Sequence, residues 1–181
     1  MPQRYKRHFL KAKEVKSILK EASRELKADL NEILGDEVEM ELVKTDFCQF
    51  LLIKGNALLV RIKKKILPTL IFSEFINLIP KVVVDMGAVP YVCNGADIMA
   101  PGIVRYEGEF RETDLVQIVD EKHGKTIAIG TAHYDLNYAK NMNKGMVVSN
   151  IHFIGDRIWN LIKKLKVSTI NSRLNSNNET V

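Results

Sequence analysis

Apolar positions in the first third of the chain recur at helical spacing, then switch to alternation. Val15, Ile18, Leu19, Ala22, Leu26, Leu30 and Ile33 fall on one stripe between Glu14 and Leu34, while Lys13, Lys16, Lys20, Arg24 and Lys27 occupy the other sides. That period predicts one basic amphipathic helix with its apolar face in a core, ended by Gly35. Val38, Met40 and Leu42 then alternate with Glu39 and Glu41, the pattern of a half-buried strand. Apolar runs at Phe47–Ile53 and Ala57–Ile62 flank Lys54-Gly55-Asn56, which reads as a hairpin turn. Pro68–Ile76 is expected to be a short buried helix with proline in its first turn.

Beyond Pro80 the pattern changes. Val82–Val84 reads as a short buried strand and Met86–Cys93 as a short helix that tolerates Pro90 early. Further strands are expected at Ile103–Arg105, Leu115–Val119, Thr126–Ala132, Val147-Val148 and Ile151–Ile154, with Asp120–Lys125 as a hairpin connection. Many short strands joined by Gly and Asp turns predict a small barrel. Arg157–Lys166 is expected to be an amphipathic helix with Ile158, Trp159, Ile162 and Leu165 on one face. The Ser- and Asn-rich residues 167–181 read as a frayed tail. The result is an α+β chain with an N-terminal α/β domain over 1–79, a barrel with a C-terminal helix over 80–166, and the tail.

At 181 residues, with 46% apolar and 27% charged positions, the chain has enough material for one ordinary domain or two small ones, not for wholesale disorder. No apolar run approaches ~18 residues, and no apolar stretch follows the basic first residues, so neither a membrane span nor a signal peptide is expected. Cys48 and Cys93 lack a CxxC partner, which fits a reducing cytoplasm. Charge is unevenly spread. Residues 1–28 hold nine Lys/Arg and three Asp/Glu, whereas 81–156 hold seven and ten. Basic clusters at the N-terminus, at Lys63-Lys64-Lys65 and over Arg157–Lys166 either track a phosphate backbone or form a solvated surface.

The search for catalytic motifs returns nothing. There is no GxxxxGK[ST], GxSxG, HExxH or post-strand GxGxxG, and the four histidines lack metal-ligand spacing. No cofactor or metal is expected. Asp85 and Asp97 are either a carboxylate pair or a helix cap and a turn anchor. Cys93 is either a nucleophile or a small buried residue, and Tyr91, Tyr106 and Tyr134 either stack bases or fill the core and rim. The assembly of nucleophile, base and oxyanion donors is missing, so the expectation is a binding protein, not an enzyme.

The most informative stretch is Val84-Asp85-Met86-Gly87-Ala88, then Asn94-Gly95-Ala96-Asp97-Ile98-Met99-Ala100-Pro101-Gly102-Ile103, then Phe110-Arg111-Glu112-Thr113-Asp114-Leu115-Val116. Gly95 and Gly102 are free to take positive φ and bring backbone close to a ligand. These ordered blocks, closed by Ile151-His152-Phe153-Ile154-Gly155-Asp156 and Trp159, resemble the PUA domain over about residues 79–160. Thr113 stands where many such domains have glycine. With the Pro68-Thr69-Leu70 segment and the N-terminal half, the chain resembles the stand-alone PUA translation factors, which include the malignant T-cell amplified sequence proteins, ligatin and archaeal relatives.

That resemblance implies a pre-PUA domain, then a pseudo-barrel whose groove binds RNA. The lip is Asn94, Gly95, Ala96 and Asp97, the floor includes Met99, Pro101 and Gly102, and His152 and Phe153 line the closing edge. Lys144, Arg157, Lys63, Lys64 and Lys65 would supply positive charge. Amides released by the glycine turn would hold phosphate or 2′-OH groups, with Met99 and Phe153 either as platforms for a base or as barrel core. The alternative for His152 is to hold the strand end through a backbone hydrogen bond. The implied partners are tRNA or rRNA, the small ribosomal subunit and a SUI-domain initiation-factor-like protein, in initiation, reinitiation or recycling. The alternative role is an accessory subunit that presents RNA to a tRNA or rRNA modification enzyme. A third reading places small-molecule chemistry at Asp85, Asp97 and Cys93.

Overall fold

A computed structural model describes residues 5–166, so the tail assigned to 167–181 lies outside the described residues. The chain divides into two compact units, the first ending at Ile79 and the second beginning at Pro80.

The first unit is a five-stranded antiparallel meander, β1 (Lys6–Phe9), β2 (Met40–Lys44), β3 (Gln49–Ile53), β4 (Asn56–Ile62) and β5 (Lys65–Pro68), in sequence order. Lys54 and Gly55, at φ 50° and 77°, make the two-residue turn that matches the strand twist between β3 and β4. The amphipathic stretch is two helices, not one: α1 (Ala12–Leu26) and α2 (Leu30–Leu34). Lys27 turns left-handed at φ 53°, Asp29 accepts the Asn31 amide at 2.9 Å, and Ser23 Oγ accepts the Leu30 amide at 3.1 Å. Side chains thus take the amides that a continuous helix would have used. Helix α1 buries Val15, Leu19, Ala22 and Leu26.

The segment around Pro68 also differs from expectation. Pro68 ends β5, opposite Leu59, and the helix α3 is confined to Ser73–Ile76. An edge strand tolerates proline because its outward amide needs no partner. Glu25 of α1 covers that edge by accepting the Ile66 amide at 2.6 Å, and Glu21 pairs with Arg61 at 2.6 Å.

The second unit is a six-stranded sheet. Its strands are β6 (Lys81–Val84), β7 (Ile98–Met99), β8 (Ile103–Glu107), β9 (Leu115–Asp120), β10 (Thr126–Ala132) and β11 (Met146–Phe153), arranged β7-β11-β10-β9-β6-β8 with β6 and β9 parallel. The two edge strands β7 and β8 are consecutive in the chain, joined only by a 3-10 turn at Ala100–Gly102. That short link draws the edges together and produces the pseudo-barrel. The two expected segments at Val147-Val148 and Ile151–Ile154 are one irregular strand, β11. Opposite its bulge, a Cβ on Gly130 would sit 2.6 Å from the Ser149 carbonyl oxygen and overlap Val148. Thr113 does take the left-handed conformation, at φ 71°.

Val82, Val84, Ile98, Phe110, Ile118 and Val148 are among the buried core residues. Short helices α4 (Val89–Val92) and α5 (Leu136–Ala139) pack on this core. A last helix, α6, covers residues 157–166. It buries Ile158, Leu161, Ile162 and Leu165, while Trp159 is half-buried with Lys163 Nζ 5.5 Å from its ring centre. No described helix is long and apolar enough to cross a membrane.

Candidate nucleic-acid interface

Asp85 starts the site. Its carboxylate accepts the Ala88 amide at 2.7 Å, and its own amide donates to the Gly102 carbonyl at 3.0 Å. The first bond steers the chain into α4, whose Pro90 is harmless in an opening turn. The second ties the 3-10 turn to the end of β6. Between α4 and that turn lies an apolar groove of about 260 Å³, lined by Ala88, Tyr91, Val92, Ile98, Met99 and Gly102 with Ala96 and Asp97. Tyr91 and Met99 project from its rim, 71% and 47% exposed.

Asn150 on β11 holds the glycine turn in place. Its side-chain amide donates to the carbonyls of Val92 and Ala96, each at 3.0 Å, and its backbone amide donates to the Asp97 carboxylate at 2.9 Å. The sequence carries no signal for this staple, because Asn150 lies about 54 residues from its partners and fits any strand pattern.

Gly95 takes φ 91°, and a Cβ there would meet the Phe153 ring at 3.0 and 3.1 Å. The lip therefore needs glycine twice, for its backbone and for the ring against it. Gly102 does not adopt positive φ; its constraint is proximity, with Ala88 Cβ 3.1 Å from where its own would lie.

The expected amide donors of the lip are engaged. Asn94 and Ala96 donate to the Tyr91 carbonyl and Gly95 to that of Val92, each at 3.0 Å. No basic side chain lines the groove, and Asp97 does. The groove is therefore suited to an apolar or aromatic group and not to a phosphate.

His152 does not line a surface: it is 1% exposed. Its Nδ1 lies 2.6 Å from the Asp156 carboxylate, which also accepts the Phe153 amide at 3.1 Å and the Trp159 amide at 2.7 Å. Burial pushes the Asp156 carboxyl up, but the His152 bond and the Trp159 amide outweigh it and leave it below the ordinary carboxylate range. His152 thus fixes the start of α6. Phe153 is half-buried under Gly95. Pro101 sits in the 3-10 turn, and Lys144 is exposed just before Gly145, whose carbonyl accepts the Ala100 amide at 2.9 Å. Arg157 is exposed on α6, whereas Lys63 and Lys64 form the β4–β5 turn of the first unit and Lys65 opens β5. The structure thus gathers Ala96, Asp97, Met99 and Gly102 at one groove and leaves the lysines outside it.

A pseudo-barrel with an apolar cleft between its first helix and second strand, following an α/β unit, defines a PUA-type binding module. Two family models match: "PUA domain" over residues 80–154 and "Domain of unknown function (DUF1947)" over 6–73. An uncharacterized protein of Methanocaldococcus jannaschii is 37% identical over 86% of this chain and 96% of its own length. Translation machinery-associated protein 20 of Saccharomyces cerevisiae is 30% identical over 83% and 85%. The crystal structure of a hypothetical protein from Pyrococcus horikoshii matches with a TM-score of 0.70 and 33% identity, covering 87% of this chain and 99% of that one. The chain belongs to the PUA-domain family that includes translation machinery-associated protein 20 and the malignant T-cell-amplified sequence proteins.

Proposed function

We propose that this chain binds RNA as part of the translation machinery, taking an unpaired base of a single-stranded end into the Tyr91–Met99 groove. The favoured ligand is a tRNA acceptor end, or an exposed rRNA segment, at the small ribosomal subunit during initiation, reinitiation or recycling. The observation that carries this reading is an open apolar groove with exposed Tyr91 and Met99 on its rim, in a chain whose relatives are named for the translation machinery. Bases present π-faces to such a rim. A catalytic role has little to draw on: Asp85 and Asp97 both engage backbone amides, and burial raises the Cys93 thiol above its ordinary value. Among the described residues no cluster is suited to a metal ion. A SUI-domain protein is the candidate partner, in the cytoplasm.

The test is binding to purified tRNA, with and without its terminal CCA, over a salt series. Tighter binding of the intact end supports the acceptor-end assignment, and indifference to it removes that assignment. Absence of RNA binding at low salt removes the whole reading. Copurification with a modification enzyme instead of ribosomal subunits would favour the accessory-subunit role.

A further inference from the structure

Outside the groove, the second unit exposes a pair of tyrosines in contact with each other. Tyr134 and Tyr138 stand four residues apart across the start of α5, with ring centres 4.8 Å apart and planes at 32°. They are 36% and 62% exposed. His133 continues the row, its ring centre 6.4 Å from that of Tyr134. The two tyrosine rings meet at a tilt and leave faces free to solvent, on which bases can stack.

This row is joined to the groove by a chain of contacts. His133 Nε2 lies 2.7 Å from Ser149 Oγ on β11, and Ser149 Oγ lies 4.0 Å from the Met146 sulfur. Met146 is the cross-strand partner of Met99, the rim residue of the groove. Directly opposed residues on neighbouring strands share a face. Met99, Met146, Ser149, His133, Tyr134 and Tyr138 therefore form one continuous track, and its first part crosses about two strand spacings, ~10 Å.

Charge points the same way. Residues 80–121 hold three Lys/Arg against eight Asp/Glu, whereas 122–166 hold eight against two. Lys140 and Lys144 are exposed in the segment that leads from the tyrosines back to the groove, and among the described residues neither is in an ion pair. Two acids lie close to the tyrosines, Asp135 and the Glu112 whose amide it accepts at 2.7 Å, so the basic charge of this face comes from Lys140 and Lys144.

We infer that Tyr134 and Tyr138 are a second nucleobase-stacking platform, which receives the nucleotides that follow the one held in the groove, with Lys140 and Lys144 beside their phosphates. The inference deepens the RNA-binding reading and rests on it. It also divides the labour: the groove takes a terminal base, while the platform and its lysines hold the strand.

The test measures fluorescence anisotropy of RNA strands of about four and about ten nucleotides, within the range of single-strand site sizes. The short strand fills the groove alone, and the long one also reaches the platform. The doubly substituted Tyr134→Ala/Tyr138→Ala protein should bind the short strand as wild type does and lose about tenfold on the long one, the usual scale for stacking. Tyr138→Phe should keep the long-strand affinity, which separates stacking from misfolding. Wild-type affinity of the double variant for the long strand overturns the platform, as does equal binding of a long strand whose distal bases are removed. Loss of a copurifying protein with RNA binding intact overturns it in favour of a protein-docking patch. If Tyr91→Ala leaves the short strand unaffected while the double variant still loses the long one, the groove reading fails and the platform stands.

Discussion

Replacing Gly95 with alanine separates two demands that the groove lip makes on one residue. An L-residue at φ 91° carries a left-handed penalty of about 1–2 kcal/mol, and the smaller freedom of alanine in the unfolded chain returns about 0.4–1 kcal/mol. The backbone part alone should then cost roughly 0.5–1 kcal/mol. The new methyl would also lie 3.0 and 3.1 Å from the Phe153 ring, inside the ~3.5–4.0 Å of comfortable carbon contact. Phe153 is half-buried and must shift, which adds about 1 kcal/mol.

Gly155 supplies the control, since it has φ 100° and nothing within 4 Å of a Cβ. Gly155→Ala should show the backbone part only. Urea unfolding followed by tryptophan fluorescence is the assay, because Trp159 is the chain's one tryptophan and reports the second unit. Gly95→Ala should lose about 1.5–2 kcal/mol against roughly 0.5–1 for Gly155→Ala. Adding Phe153→Leu should recover about 1 kcal/mol of coupling in a double-mutant cycle. Equal losses at the two glycines, or no coupling to Phe153, would refute the account of the lip.

Three further outcomes follow from the described contacts. Gly130→Ala should destabilise the second unit by about 1–3 kcal/mol in the same assay, since its Cβ would meet the Ser149 carbonyl at 2.6 Å and backbone cannot easily yield. The depressed Asp156 carboxyl contributes stability that is fully present above its unfolded range and is lost as pH falls through its lower folded value. Acid unfolding of the wild type and of Asp156→Asn should therefore converge at low pH and diverge toward neutrality. Neutralising Lys63, Lys64 and Lys65 together to Gln should reduce the slope of log affinity against log salt by about 0.7 for each single-strand phosphate they neutralise; an unchanged slope makes them plain surface.

The second unit is more legible in the sequence than the first, for physical reasons. Residues buried on both sides, as in Val82–Val84, announce strands through apolarity alone. Lys6–Phe9 does not, because all four residues of β1 are exposed and only backbone pairing with β2 makes it a strand. The break between α1 and α2 is hidden because Lys27-Ala28-Asp29 contains neither glycine nor proline; the Ser23 and Asp29 side chains make it instead. At the site, the ordered blocks locate the groove, but the engaged amides of Asn94, Gly95 and Ala96 and the burial of His152 depend on long-range contacts. The Tyr134/Tyr138 pair is hidden too, because Tyr134 precedes the Asp135 cap and only Tyr138 lies in α5, so no helical spacing announces it.

The staple at Asn150 also sets the order in which the site comes into being. Ile98 and Met99 find their strand partners at Val148 and Met146, and the carboxylate of Asp97 waits for the Asn150 amide. Contacts across so many residues form late, since a long loop must close before they contribute. A growing polypeptide would carry the helix and glycine turn of the groove for some fifty residues before they could be fastened. The groove is thereby left unfastened in a half-made chain until β11 arrives.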